Sequence, residues 1–355
     1  MSRADRVADV LDDRGLDLLL VTDLVNLRYL TGFTGSNGMA VVGRDLRRFV
    51  TDFRYVDQAA AQVPDFDREL GPQDFITALG DGWPAGELRL GFEDDHVSVR
   101  RHGRLRDVIP GRIELVAAGG VVESLRAVKD AGEVERIRAA AELADAVYGT
   151  VREQGLAGRT EREVALALEN EMRQLGAEEP SFSSIVASAE RGALPHAVPT
   201  DATIPRGTLV TLDIGARLDG YCSDCTRTWA TGDLPDDLAD AYALVLRAQE
   251  AALDAVRPGP EGRHVDAVAR RIIEEAGHGE HFGHGLGHGV GLEVHEAPRL
   301  ARTGDAPLVA GNVVTVEPGV YLPGRGGVRI EDLVVVTEDG RDVLSGTTKD
   351  LLSVG

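Results

Sequence analysis

Five residues spread over the last third of the chain, Asp213, Asp224, His288, Glu317 and Glu331, have the types to do chemistry together. Each sits in a short context mostly punctuated by glycine: VTLDIG, GYCSDCTRT, HGLGHGVG, VVTVEPG and GVRIED. Four carboxylates and one imidazole carry four negative charges, which balance two divalent cations. Without cations, burying such a cluster would cost several kcal/mol in repulsion and desolvation. A paired-metal centre is the chemistry these residues suit, provided the fold brings them together.

The spacings say what must position them. Asp219-Gly220, between Asp213 and Asp224, is a hairpin-turn signal. A four-residue loop at 217–220 would pair the two aspartates directly, and a two-residue loop would make them diagonal neighbours. Either register puts both on one face. Glu317 and Glu331 stand at an even separation, which demands an odd loop or a bulge, and Gly324, Gly326 and Gly327 make that easy. The run from His284 to Glu296 carries glycine at 285, 287, 289 and 291, a poor helix former. In an extended segment His284 and His288 share a face, so one could bind metal while the other meets substrate. His295 needs a bend to join them. His278 and His281 read as solvated loop histidines.

Residues 1–122 alternate apolar runs and helical stretches, with strands at Leu18–Val21, Met39–Val42 and Arg48–Thr51 and a helix from Val56, and predict a small α/β domain. The stretch Glu123–Asp130 is the expected junction to a second domain over 123–355. There, helices near 131–155 and 160–176, the latter opened by a capping-box pattern at Thr160 with Val164, Leu168, Met172 and Leu175 inward, precede VTLDIG and Asp224. Helices near 235–256 and 264–276 precede VTVEPG and Glu331. Each half supplies one acid early and one late in a β-ribbon, which predicts a pseudo-twofold α+β domain with the site between its halves.

A formal charge of −21 and a pI near 4.8 argue against nucleic acid and anionic membrane surfaces. No targeting or spanning segment is visible, and the expected location is cytoplasmic. Cys222 and Cys225 form a C-x-x-C with no second pair to complete a structural zinc site, so they read as free thiols. Lys129 and Lys349 are the only lysines among 38 cationic residues, which suggests coding bias.

The residues GHGVGLEVHE, VTVEPGVY and GVRIED resemble those of the pita-bread metallopeptidases, the family of aminopeptidase P, prolidase and methionine aminopeptidase. Upstream, YLTGFTGSNG and TDFRYVDQA resemble the creatinase-like N-terminal domain of aminopeptidase P and small bacterial Xaa-Pro dipeptidases. Methionine aminopeptidase lacks that domain, and creatinase lacks the metal ligands. The resemblance implies that Asp213 chelates one metal and His288 the other, with Asp224 and Glu331 bridging. Glu317 would both ligate and shuttle a proton. His196 matches a histidine on the P1′ side, His284 and His295 the pair that contacts proline and stabilises the tetrahedral intermediate, and Arg329 an arginine that supports the site and can reach substrate. Arg54 is a candidate rim residue, or else packs the small domain with Tyr55. Ala189 departs from the family pattern, where glycine follows the serine.

The implied function is a dinuclear exopeptidase cleaving Xaa-Pro bonds of proline-containing peptides by a metal-bridging hydroxide, as a homodimer. The N-terminal motifs lean slightly to an Xaa-Pro aminopeptidase over an Xaa-Pro dipeptidase. A non-catalytic peptide-binding member is disfavoured, because all five ligands are present. Oxygen-rich, single-histidine coordination suits Mn²⁺, with Co²⁺ or Zn²⁺ as alternatives.

Overall fold

The alternation of apolar runs and helical stretches in the first part of the chain builds one mixed sheet. The computed structural model describes residues 1–72 and 74–355, and the chain divides into two compact units, Met1–Arg126 and Ala127–Gly355. The first unit contains α1 (Arg3–Asp13), β1 (Leu18–Val21), α2 (Leu24–Thr31), β2 (Gly38–Gly43), β3 (Arg47–Thr51), α3 (Val56–Gln62), β4 (Asp67–Leu70), β5 (Leu88–Phe92), α4 (Val99–Val108), β6 (Ile113–Ala117) and α5 (Val121–Arg126). Its strands run in the order β4-β3-β2-β1-β5-β6. Central β1 pairs antiparallel with β2 and parallel with β5, and every one of its residues is buried, as expected of a strand covered on both faces. Helix α5 packs on α1 and α2, so it belongs with the first unit. Arg54 forks onto Asp52 with bonds of 2.9 and 2.7 Å, and Tyr55 meets the Phe33 ring edge-on, so both have partners within this unit.

The second unit comprises α6 (Ala131–Gln154), α7 (Glu161–Gln174), β7 (Glu179–Pro180), β8 (Ile185–Ser188), β9 (Leu209–Ile214), β10 (Ala216–Leu218), β11 (Tyr221–Cys222), β12 (Cys225–Ala230), α8 (Asp236–Ala255), α9 (Gly262–Glu275), β13 (Gly287–Gly289), β14 (Glu296–Leu300), β15 (Val313–Val316), β16 (Gly319–Leu322), β17 (Gly326–Arg329), β18 (Asp332–Val336) and β19 (Arg341–Val343). Capping boxes start α6 and α7, at Asp130 with Glu133 and at Thr160 with Glu163. Leu175 does not face inward as its spacing suggested. It is the C-cap of α7, where the helical stripe ends, and is 45% exposed.

The two halves repeat one arrangement. Val147, Val151, Val164 and Leu168 of α6 and α7 pack on Val210, Leu212 and Trp229 of β9 and β12. Val245, Ala248, Val265 and Ala269 of α8 and α9 pack on Val314, Val316 and Val334 of β15 and β18. Burying these apolar faces is the main force that fixes the strand ends carrying the acids. Among the described residues no helix is long and apolar enough to cross a membrane.

Candidate metal centre

Strand register decides where the acids fall. Asp219 and Gly220 both take positive φ, 49° and 82°, as a two-residue hairpin turn of the primed type requires. Leu218 then pairs with Tyr221, and the same register pairs Asp213 with Thr226, so Asp213 and Asp224 are diagonal neighbours. In the other half Val316 pairs with Asp332 and Gly319 with Arg329, which sets Glu317 opposite Glu331. The odd loop is Pro323-Gly324-Arg325, beyond the Leu322–Gly326 pair. His288 is the middle residue of β13, which lies between β14 and β15. Gly287 permits that approach: a Cβ there would stand 2.0 Å from the Thr315 carbonyl oxygen.

Four of the side chains meet directly, and the charge of Asp213 bears on Asp224 and Glu331. The ligating atoms of Asp224, His288 and Glu331 lie within 4.8 Å of one another. His288 Nε2 is 3.3 Å from Glu317 Oε1 and 3.6 Å from Asp224 Oδ2. On the far side of the ring, Nδ1 is 3.1 Å from the Gly289 carbonyl oxygen. A carbonyl only accepts, so Nδ1 carries a proton, and Nε2 is the ring atom turned to the acids, free to take a metal when its own proton is lost. This is the usual orientation of a metal-binding histidine. Arg329 commits every guanidinium nitrogen to protein: Nη2 donates to Asp213 at 2.6 Å, Nη1 to the Tyr321 hydroxyl at 2.9 Å and the Pro195 carbonyl at 3.1 Å, and Nε to Thr226 at 3.0 Å. Thr226 donates to Glu331 Oε2 at 2.8 Å, and Thr315 to Glu317 Oε1 at 3.1 Å.

Two carboxylate oxygens, Oδ1 of Asp213 and Oε1 of Glu331, are buried with no hydrogen-bond partner among the described residues. Glu331 is only 1% exposed. An unpaired buried anionic oxygen is costly and calls for a ligand. The proton equilibria agree. Desolvation, then the charges of the neighbouring acids, pushes Asp224 and Glu331 well above the usual carboxylate range. Asp213 is raised by burial and Glu317 despite Arg329. Burial opposes charge on Glu317 and His288, but their mutual hydrogen bond and attraction win, lowering the acid and raising the imidazole. Four acids facing one arginine and one histidine carry excess negative charge that divalent cations would neutralise. The donor set fits such ions.

The histidines expected around the cluster are differently placed. The His295 ring meets the His288 ring edge-on at 4.3 Å between centroids, and burial followed by the His288 charge lowers its pKa. His284 Nδ1 is 2.7 Å from the Gly285 carbonyl oxygen, so it is the donor, and Nε2 accepts from the Tyr321 hydroxyl at 2.8 Å. A relay therefore runs from Arg329 through Tyr321 to His284. His196 is exposed and follows Pro195, the residue held by Arg329. Its loop is pinned by fully buried Glu161, which accepts from the Ser188 N–H and hydroxyl at one end, from the Thr200 N–H and hydroxyl at the other, and from Arg191 between. Ala189, the departure noted from sequence, stands in this loop at φ 49°. Cys222 and Cys225 are buried free thiols.

Sequence reasoning passed over Tyr321, Thr226, Thr315 and Glu161. The signal for Thr226 was available, since the two-residue turn makes it the partner of Asp213. Thr315 was equally available, two residues before Glu317 and so on the same face, whereas Tyr321 and Glu161 act across pairings that no local pattern reveals.

Comparison with known proteins bears on this site. The profile described as metallopeptidase family M24 matches residues 135–338, and that of the creatinase/prolidase N-terminal domain matches residues 3–128. The chain is 35% identical to an Xaa-Pro dipeptidase of Pyrococcus furiosus over 359 residues, 99% of each chain. It is similar to the solved structure of an Xaa-Pro dipeptidase from Bacillus anthracis, with TM-score 0.94 and 40% identity over 99% of this chain and 98% of that one. It is also similar to that of an X-Pro aminopeptidase from Thermotoga maritima, with TM-score 0.91 and 36% identity over 99% of this chain and 100% of that one. With its acids and histidine gathered on a pita-bread fold, the chain belongs to metallopeptidase family M24 and is a metallopeptidase.

Proposed function

We propose that this chain is an Xaa-Pro dipeptidase whose site is built on two divalent cations. The observation that carries the reading is the gathering of Asp224, His288, Glu317 and Glu331, beside buried oxygens of Asp213 and Glu331 that lack partners among the described residues. These five would hold the ions, Mn²⁺ being the best match to their oxygen-rich set. Bound there, the cations supply Lewis-acid polarisation of the scissile carbonyl and a nucleophilic water at neutral pH.

The chain's own residues would do the rest. Glu317, steadied at Oε1 by Thr315, takes the proton of the attacking water and delivers it to the proline nitrogen, which has no proton of its own before the bond breaks. His295 stands beside His288 and turns its ring towards the developing oxyanion. Arg329, through Tyr321, sets the orientation of His284 against the proline residue, and His196 offers its exposed imidazole at the substrate's leaving side. The boundary expected at 122/123 is proposed to move to the end of α5, giving domains 1–126 and 127–355, and the assembly to be a homodimer in the cytoplasm.

The N-terminal motifs leaned towards an aminopeptidase, but the names of the Pyrococcus and Bacillus relatives weigh towards dipeptides. The Thermotoga structure keeps the aminopeptidase as a second reading. Turnover of Gly-Pro against Arg-Pro-Pro with added Mn²⁺ separates them. Cleavage of the dipeptide alone supports the dipeptidase, cleavage of the tripeptide supports the aminopeptidase, and inertness towards both removes the Xaa-Pro assignment.

A further inference from the structure

Lysine is nearly absent from this chain, yet Lys129 is spent on an interior position, with 1% of its side chain exposed. Its ammonium lies 3.0 Å from Oε2 of Glu296, whose side chain is 5% exposed. The other oxygen of Glu296 accepts from the Glu293 N–H at 3.0 Å. Gly291 closes on the same carboxylate, since a Cβ there would stand 2.5 Å from Oε2. Glu296 therefore ties together the loop 291–295, and it directly follows His295. The Lys129 backbone is anchored separately: its N–H donates to the Gly311 carbonyl at 2.8 Å, in the turn that leads into β15 and Glu317. One residue links the approach to Glu317 with the loop that presents His295.

We propose that Lys129 is a positioning residue for His295, acting through its buried ion pair with Glu296. The inference deepens the proposed Xaa-Pro hydrolase reading and rests on it. Removing one partner of a buried pair strands the other charge. The carboxylate left behind would seek water and draw the loop with it, and a displacement of about 1 Å at a catalytic group can cost about 100-fold in rate. Arginine is no substitute. Its planar fork carries five N–H donors into a space shaped for a compact ammonium.

The test uses full-length Lys129→Met, Lys129→Arg and Glu296→Gln proteins loaded with Mn²⁺. Each is assayed on Gly-Pro, and the histidine ring signals of the metal-free proteins are followed by NMR with isotope-labelled histidine. The expected result is a kcat lower by about tenfold or more with KM within about threefold, unchanged metal content, and a His295 signal shifted or broadened while that of His278, which meets His281, stays put. Lys129→Arg should not rescue. Should Lys129→Met fail to fold, Glu296→Gln carries the same reading. A kcat within about twofold of wild type with an unmoved His295 signal overturns the proposal, as does metal loss in proportion to lost activity. If wild type cleaves no Xaa-Pro substrate, the functional reading fails, and the NMR comparison alone judges Lys129.

Discussion

Glu161→Gln probes how the His196 loop is held. The wild-type carboxylate is fully buried and accepts five hydrogen bonds: at Oε1 from the Ser188 N–H and hydroxyl, and at Oε2 from Arg191, the Thr200 N–H and the Thr200 hydroxyl. Glutamine does best with its oxygen towards Arg191 and Thr200 and its NH₂ towards Ser188. The Ser188 hydroxyl can turn and accept, whereas the Ser188 N–H cannot. One stranded donor at about 1–3 kcal/mol, with about 1 kcal/mol more for the weaker bond of a neutral acceptor to Arg191, discounted because that side chain is 28% exposed, gives a loss of about 1–4 kcal/mol. Burial alone would raise the Glu161 pKa, but the donors of Ser188, Arg191 and Thr200 outweigh it and lower the pKa. A depressed carboxylate stabilises the fold fully above its unfolded pKa of about 4.3 and loses that contribution as pH falls through its folded value. The gap between wild type and variant should therefore be widest at neutral pH and narrow at about pH 3.5, on the acid side of the pI near 4.8. Urea unfolding of the metal-free proteins, with hydrogen exchange over 188–200, reads both effects. A neutral-pH loss below about 1 kcal/mol, or a gap that widens in acid, would refute the reasoning.

Two further perturbations follow from the same geometry. Ala189 holds a left-handed φ of 49°, so Ala189→Gly should raise stability by up to about 1 kcal/mol in urea, and a loss of stability would contradict the strain. Tyr321→Phe removes the hydroxyl between Arg329 and His284. The fold should persist at a cost of about 1 kcal/mol while kcat drops severalfold, and an unchanged kcat would mean that the relay is idle.

Much of this was legible in sequence, for identifiable reasons. Local signals with a fixed geometry carried over: the Asp219-Gly220 turn set the register of Asp213, and the even separation of Glu317 and Glu331 forced an odd loop. Repetition of VTLDIG in VTVEPG marked the two halves, because matching helix pairs must bury matching strands. What escaped was coupling across the fold. Glu161 looked like part of a helix N-terminus, yet its carboxylate turns to a loop some forty residues on, as its bonds to Thr200 show. Tyr321 was passed over, and its value lies in standing between Arg329 and His284. Lys129 read as composition bias until its partner, Glu296, was visible. The outward turn of Leu175 marks the limit of helical spacing as a guide, since the stripe continues in sequence past the residue where the helix stops.

If the gathered acids are there to hold metal, the amount of metal held is the property that tests it most directly. Titration of the metal-free protein with Mn²⁺, checked by elemental analysis after dialysis, should give two ions per chain in wild type and fewer in His288→Ala and Glu331→Gln proteins that keep their folded circular dichroism. Wild type that holds no ion at millimolar Mn²⁺, or variants that hold as many ions as tightly as wild type, would contradict it.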